Sequence, residues 1–166
     1  NNGNGSVIFN VQNTNPFDII ITQFSCHVST TGATTSQVLY RTTPFSDFAA
    51  PWDHGVVGAG QNGWILVGNG NITGSNSVIP VLTNTNVIVP AGATYQFGIS
   101  SPSIAYMTLT SGAGVNTFSS GGVNLLTGDG ISWGGVAYPA TPGNYPRGLI
   151  GGITFIPAIP CSGIPN

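Results

Sequence analysis

The stretch Asp18-Ile19-Ile20-Ile21-Thr22-Gln23-Phe24-Ser25-Cys26-His27-Val28 decides the fold class of this chain. It is rich in β-branched and aromatic residues, which favour strands. Successive side chains of a strand point to opposite faces. The two expected faces are Ile19, Ile21 and Gln23 on one side and Ile20, Thr22 and Phe24 on the other. The stretch therefore predicts a long β-strand.

Short runs of the same kind recur on both sides of this stretch, separated by turn residues. The chain holds 25 glycines and 12 prolines, which leave no helix-length periodic segment. The predicted runs are Ser6–Gln12, Gln37–Thr42, Trp64–Ile72, Ser77–Leu82, Asn86–Val89, Thr94–Ser100, Ala105–Thr110, Val115–Phe118 and Leu149–Ile156. This spacing predicts an all-β protein, a two-sheet antiparallel β-sandwich of jelly-roll-like form with no substantial helix.

The runs predict one domain over residues 1–166, with a possible assembly arm at 1–12 and an extended tail at 157–166. Two long connections interrupt the regular spacing of the predicted strands: Thr43–Gly63 and Gly128–Arg147. Long loops of this kind are often functional. Their aromatic residues are candidates for contact with a partner or a glycan: Trp52, Trp133, Tyr138 and Tyr145.

Charge is nearly absent, since charged residues make up 4% of the chain and its formal net charge is −2. There is no lysine and no glutamate. Without a basic patch we expect no nucleic-acid binding. No apolar run approaches the roughly 20 residues that span a bilayer, so we expect no membrane insertion. Because the chain opens at Asn1 without a methionine, we expect a processed form.

Two cysteines, Cys26 and Cys161, are an even count and predict an intramolecular disulfide in an extracellular protein. The alternative is a pair of buried free thiols. The bond would tie an early strand to the C-terminal tail.

No residue pattern indicates an enzyme, a cofactor or a metal ion. The four aspartates are scattered and show no pairing. Asp53-His54 has no nucleophile-elbow motif beside it, and a surface loop explains the pair. His27 follows Cys26 on a strand, so the two point to opposite faces. Asp129 between glycines is better explained by a turn than by a calcium site.

The pattern for N-linked glycosylation occurs twice, at Asn4 and at Asn71. The pattern is short and arises by chance in a chain rich in Asn and Thr. Both residues are therefore possible acceptors.

Five stretches carry a resemblance to a known kind of module. They are Phe9–Asn13, Asp18–Phe24, Val38–Arg41, Trp64–Gly68 and Val87–Phe97. In their order and their residues, these stretches resemble a β-sandwich module of secreted bacterial surface proteins. In those proteins the module often occurs in tandem. The cysteine pair and the expanded connection Thr43–Gly63 depart from that pattern. The resemblance implies an extracellular or cell-surface location and no activity.

The resulting hypothesis is a structural subunit of an extracellular fibre or cell-surface assembly, with copies of itself as partners. Lysine and other charges normally keep sheet edges apart, and this chain has almost none. We expect β-augmentation, with the arm supplying Val7, Phe9 and Val11 to a neighbour. The alternative is a carbohydrate-binding or adhesive module that uses the loop aromatics, with glycans as partners. A hydrolase is the third reading.

Overall fold

The computed structural model describes residues 5–42, 60, 63–102, 104–108, 116–127, 130–134 and 144–158, with the side chains of 108, 130–134 and 144–146 left out. Within these ranges the regular elements are all strands. The strands are β1 (Gly5–Asn13), β2 (Ile19–Val28), β3 (Ala33–Arg41), β4 (Ile65–Thr73), β5 (Ser77–Val89), β6 (Thr94–Ser101), β7 (Tyr106–Thr108), β8 (Asn116–Ser120), β9 (Val123–Thr127), β10 (Gly130–Gly134), β11 (Asn144–Leu149) and β12 (Gly151–Pro157).

The strands form two antiparallel sheets that pack face to face. The large sheet has nine strands, in the order β4-β3-β6-β1-β10-β11-β7, and the hairpin β8–β9 joins it through β1. The small sheet has three strands, in the order β12-β2-β5. Buried side chains of both sheets form one core between them. The predicted all-β, two-sheet antiparallel sandwich is confirmed.

Strand β2 corrects the two faces that simple alternation predicts. Ile19 and Ile21 are buried as expected, but Phe24 is buried with them and Gln23 is not. Opposite β12 the register shifts between Ile21 and Gln23, so that Thr22 is an extra residue on β2. Opposite β5 the register shifts at the same point, with the extra residues on β5. A β-bulge of this kind reverses the phase of alternation. It places Phe24 in the core, with its ring centroid 5.3 Å from that of Phe97.

Strand β1, which covers most of the possible assembly arm predicted at 1–12, lies in the middle of the large sheet of its own chain. Exchange of this arm between copies stays a prediction. One edge of β1 pairs with β6 from Gly5 to Gln12. The other edge pairs with β10 at its start and with β9 at its end. Val7, Phe9 and Val11 are each 0% exposed in the core of their own chain. Residues 5–12 are thus an internal strand in this fold, and residues 1–4 lie outside the described ranges.

The second long connection predicted from the sequence contains two strands. Trp133 lies on β10, opposite Ser6, and Tyr145 lies on β11. Strand β9 was also absent from the predicted runs. It is joined to β8 by Gly121 and Gly122, whose φ angles are 57° and 72°. Two successive residues at positive φ make the tight hairpin turn that glycine pairs favour.

Asn13 ties the end of β1 to the end of β5. Its Nδ2 donates to the carbonyl oxygens of Phe17 (2.8 Å), Val89 (3.1 Å) and Pro90 (3.1 Å). Its Oδ1 accepts from the backbone N–H of Asn15 at 3.0 Å. The residue is 0% exposed. This side chain of the large sheet therefore satisfies the buried carbonyl of Val89 at the end of β5 and partly buried backbone groups of the two adjoining turns.

We predict that Asn13→Ala lowers the free energy of unfolding by about 2–3 kcal/mol, because it leaves buried carbonyls without a donor. The matched control is Asn86→Ala, at an exposed position on β5, where a change within about 0.5 kcal/mol is expected. Urea unfolding followed by tryptophan fluorescence measures both. Equal midpoints for the two variants would show that the Asn13 bonds do not hold the sheets together.

Candidate functional site

Five strands present an unpaired edge within the described part of the chain: β4, β7 and β8 in the large sheet, and β5 and β12 in the small sheet. Strand β7 has three residues and β5 contains Pro80 in its interior, which leaves β4, β8 and β12 as the edges best suited to pairing. Strand β4 pairs only with β3, β8 only with β9, and β12 only with β2. Strands β4 and β8 belong to the large sheet, on opposite sides of β1, whereas β12 belongs to the small sheet. An unpaired edge offers a row of N–H and C=O groups to another strand.

The three edges carry no charged side chain. Their sequences are ILVGNGNIT for β4, NTFSS for β8 and GGITFIP for β12. Proteins usually protect an edge with charge, proline or a bulge. Strand β12 has a register shift between Thr154 and Phe155 and a proline at its end, and β4 has a register shift at Val67. Strand β8 has none of these devices, and β4 has neither charge nor proline, so both edges are weakly protected against pairing.

An apolar groove opens between the β8–β9 hairpin and β12, and we call it the edge groove. Its volume is about 190 Å³. Its lining is Phe118, Ser119, Ser120, Val123, Leu125, Gly151, Gly152, Ile153 and Phe155. None of these residues is charged, and most of the lining atoms belong to aliphatic and aromatic side chains.

The difference in sheet width produces the edge groove. Phe118 lies opposite Leu125, and Leu125 lies opposite Val11, which is 0% exposed in the core. Directly opposed residues share a face of the sheet, so Phe118 projects on the core-facing side. The small sheet ends at β12 and does not cover it, which leaves Phe118 59% exposed.

The end of the edge groove is closed by Phe155 of β12. A Cβ placed on Gly121 would lie 3.1 Å from Cζ of Phe155. The ring of Phe155 therefore lies against the hairpin turn, and glycine provides the space for it. The sequence signal that could have revealed this site is the pair Gly121-Gly122 between two short apolar runs, which predicts a hairpin.

The charged side chains in the described ranges are Asp18, Arg41 and Arg147, and each is engaged within the fold. Asp18 Oδ1 accepts from the backbone N–H of Ala91 at 2.9 Å. The guanidinium carbon of Arg147 lies 5.5 Å from the ring centroid of Tyr106. These charged side chains thus stabilise a turn or pack on an aromatic ring, and none of them lines the edge groove.

Arg41 takes part in a polar cluster on the face of the large sheet that points away from the small one. Its Nε donates to Gln96 Oε1 at 2.6 Å, and its guanidinium carbon lies 5.2 Å from the ring centroid of Trp64. Gln96 and Trp64 are 0% and 1% exposed. Burial lowers the pKa of Arg41 below its ordinary value because desolvation disfavours the charged form. Stacking on an aromatic ring compensates part of that cost.

The predicted contact aromatics do not form a described surface. Trp52 and Tyr138 lie outside the described residues. Trp133 and Tyr145 lie on β10 and β11, where only the backbone is described. A glycan-contact role for these four residues stays a prediction.

The predicted disulfide between Cys26 and Cys161 is wrong for this fold. Cys26 is a free thiol, 0% exposed in the core. Cys161 lies outside the described residues, which end at Ala158, whose N–H donates to the carbonyl oxygen of Asp18 at 2.8 Å. Asp18 and Cys26 are separated by about 25 Å of strand. Three residues beyond Ala158 reach about 11 Å, and a disulfide spans about 7 Å between Cα atoms, so the bond cannot close.

Of the two possible glycosylation sites, Asn71 is exposed on β4 and Asn4 lies outside the described residues. His27 and Cys26 lie on opposite faces of β2, as expected. In the described ranges no three residues among His, Cys, Asp and Glu come close enough to hold a metal ion. Three residues considered above as catalytic or calcium-binding candidates lie outside the described ranges: Asp53, His54 and Asp129.

No protein-family model, curated protein or solved structure matches this chain. The resemblance to a bacterial surface module therefore stays a prediction. Among the described residues there is no helix long and apolar enough to cross a membrane.

The buried Cys26 predicts a distinct pH dependence of stability. Burial raises the pKa of its thiol to about 12, from an ordinary value of 9.0. The unfolded chain loses this proton from pH about 9 upward while the folded chain keeps it, so the free energy of unfolding falls over that window. At pH about 11 the loss is about 2–3 kcal/mol.

Urea unfolding between pH about 8 and about 11 measures this loss against Cys26→Ala, which keeps every tyrosine but lacks the thiol. The variant should lose less stability over the same range. Parallel curves for the two proteins would contradict a buried, protonated Cys26.

Proposed function

We propose that this protein is a structural subunit of an extracellular or cell-surface assembly, whose copies join by pairing unprotected strand edges. The observation that carries the proposal is the combination of uncharged edges with exposed apolar side chains. The described residues include seven exposed large apolar side chains. Four of them lie on β4, β8 and β12: Ile65, Leu66, Phe118 and Ile156.

Physical chemistry supports association through these edges. Pairing would satisfy backbone groups and cover apolar side chains at once. The usual repulsion between like charges is absent because β4, β8 and β12 are uncharged. The internal position of β1 moves the proposed contacts from the N-terminal arm to these edges. The extracellular location is supported by the resemblance to secreted surface modules.

The glycan-binding alternative has no comparable support. Trp64 is the tryptophan whose side chain is described, and it is 1% exposed beneath the polar cluster of Arg41. Exposed aromatic platforms are what such a module would need.

The proposal predicts that the wild-type protein forms polymers whose amount is nearly constant between about 0.05 and 1 M NaCl, since charge screening has nothing to weaken. Sedimentation and negative-stain electron microscopy measure the polymer. A strictly monomeric protein at all concentrations, or polymers that salt dissolves, would contradict the proposal.

A variant with one lysine on each edge should stay monomeric: Leu66→Lys, Thr117→Lys and Thr154→Lys, all at exposed positions. The control carries the same added charge at exposed positions away from the edge strands: Thr31→Lys, Thr35→Lys and Ala91→Lys. The control should still polymerise, because edges and not net charge govern assembly. Loss of polymer in both variants alike would point to net charge instead.

A further inference from the structure

Two outer edges of the large sheet, those of β4 and β8, lie on unlike sides of the sandwich. On the β4 side the two sheets meet, because Ser36 Oγ of β3 donates to the carbonyl oxygen of Val81 on β5 at 2.5 Å. On the β8 side the sheets diverge and leave the edge groove open. The β4 side of the sandwich is thus closed, and the β8 side holds the open groove.

The edge groove sets clear requirements for an occupant. It is flanked by the free edges of β8 and β12, so an extended segment can pair with a strand while it fills the groove. Its lining is apolar and uncharged, so the segment must be uncharged as well. At least one large apolar side chain must project on the core-facing side, where Phe118 is exposed.

Strand β4 meets each of these requirements. It has nine residues, no charge and no proline, and its register with β3 shifts at Val67, so it can donate backbone groups on both sides of that residue. Ile65 is 46% exposed and lies opposite Tyr40. Tyr40 stacks on Phe97 in the core at 6.0 Å between centroids, so Ile65 projects on the core-facing side. If β4 of another copy extends the sheet past β8, Ile65 and Phe118 lie on the same face.

We infer that the edge groove receives strand β4 of a second copy of this chain, so that copies join head to tail. The inference rests on the proposed function and names the two surfaces that carry it. Because the donor and acceptor surfaces differ and lie at opposite sides of the sheet, the contact is heterologous and leaves both ends of a chain of copies open. The product is a filament in which the large sheets form one continuous sheet.

Each contact is small, since β8 contributes five residues. An interface of that length falls below the roughly 1,200 Å² typical of stable pairs, so assembly should show a critical concentration.

The test uses two single substitutions in the full chain, Phe118→Lys in the acceptor and Ile65→Lys in the donor. Phe17→Lys, in the turn between β1 and β2, is the matched control away from the strand edges, at 40% exposure. Each of the first two should raise the critical concentration at least about tenfold, because a lysine charge would be buried in an apolar contact. The control should leave it unchanged. Circular dichroism and thermal unfolding of all three verify that each is folded.

Mixing distinguishes a head-to-tail contact from a symmetric one. Phe118→Lys keeps an intact β4, and Ile65→Lys keeps an intact groove. An equimolar mixture should therefore form a dimer with one copy of each and nothing longer, since both outer ends are blocked. Analytical ultracentrifugation with one variant fluorescently labelled measures this species.

Other outcomes overturn the inference while leaving the proposed function intact. If Phe118→Lys blocks assembly but Ile65→Lys does not, another segment enters the groove. If neither blocks it, the groove is not the contact. A wild-type chain that never assembles would instead remove the proposed function itself.

Discussion

The structure depends on the pairing of β1 along both edges while both of its faces are buried. One face supplies Val7, Phe9 and Val11 to the core. The other face carries Ser6, whose Oγ lies 3.0 Å from Ser100 Oγ, and Ile8, which is 2% exposed. A strand enclosed on four sides cannot leave without exposing the core and unpairing three neighbouring strands, β6, β9 and β10. In the proposed assembly each copy therefore keeps its own central strand, and its contacts with other copies lie at the sheet edges.

The same arrangement explains why one side of the sandwich is open. Strand β1 pairs with β6, β9 and β10, and through them the large sheet reaches nine strands. The small sheet has three. The wider sheet carries core-facing side chains past the limit of the narrower one. Phe118 is such a side chain, and water or a further strand must cover it. Because burial of apolar surface is favourable at about 25 cal/mol per Å², the uncovered face is a persistent bias toward association.

The sequence could predict the strands but not their neighbours. Alternating residues such as Val7, Phe9 and Val11 indicate a strand with one apolar face, and that much is confirmed. Whether the strand is central or peripheral depends on partners 80 or more residues away, such as Phe97 opposite Phe9. No local pattern contains that information, so the sequence alone could not place β1 inside the sheet of its own chain. The bulge at Thr22 is another case, because tertiary packing of Phe24 decides the phase that alternation alone assigns.

The site was predictable in part. Scarcity of charge correctly directed attention to unprotected edges, and Gly121-Gly122 contained the signal for the hairpin that borders the groove. The even cysteine count misled, because the parity rule says nothing about distance. The antiparallel pairing of β12 with β2 carries the chain away from Cys26, toward Asp18. Residues that look equivalent in a count can thus lie at opposite ends of a strand.

Hydrogen–deuterium exchange of assembled and dissociated protein tests the central claim most directly, that copies join at their edges while β1 stays internal to each. The account predicts that the amides of β1 exchange equally slowly in both states, and that β4 and β8 become protected only on assembly. Protection of β1 that appears only in the assembly would contradict the account, because it would show that this strand is donated from one copy to the next.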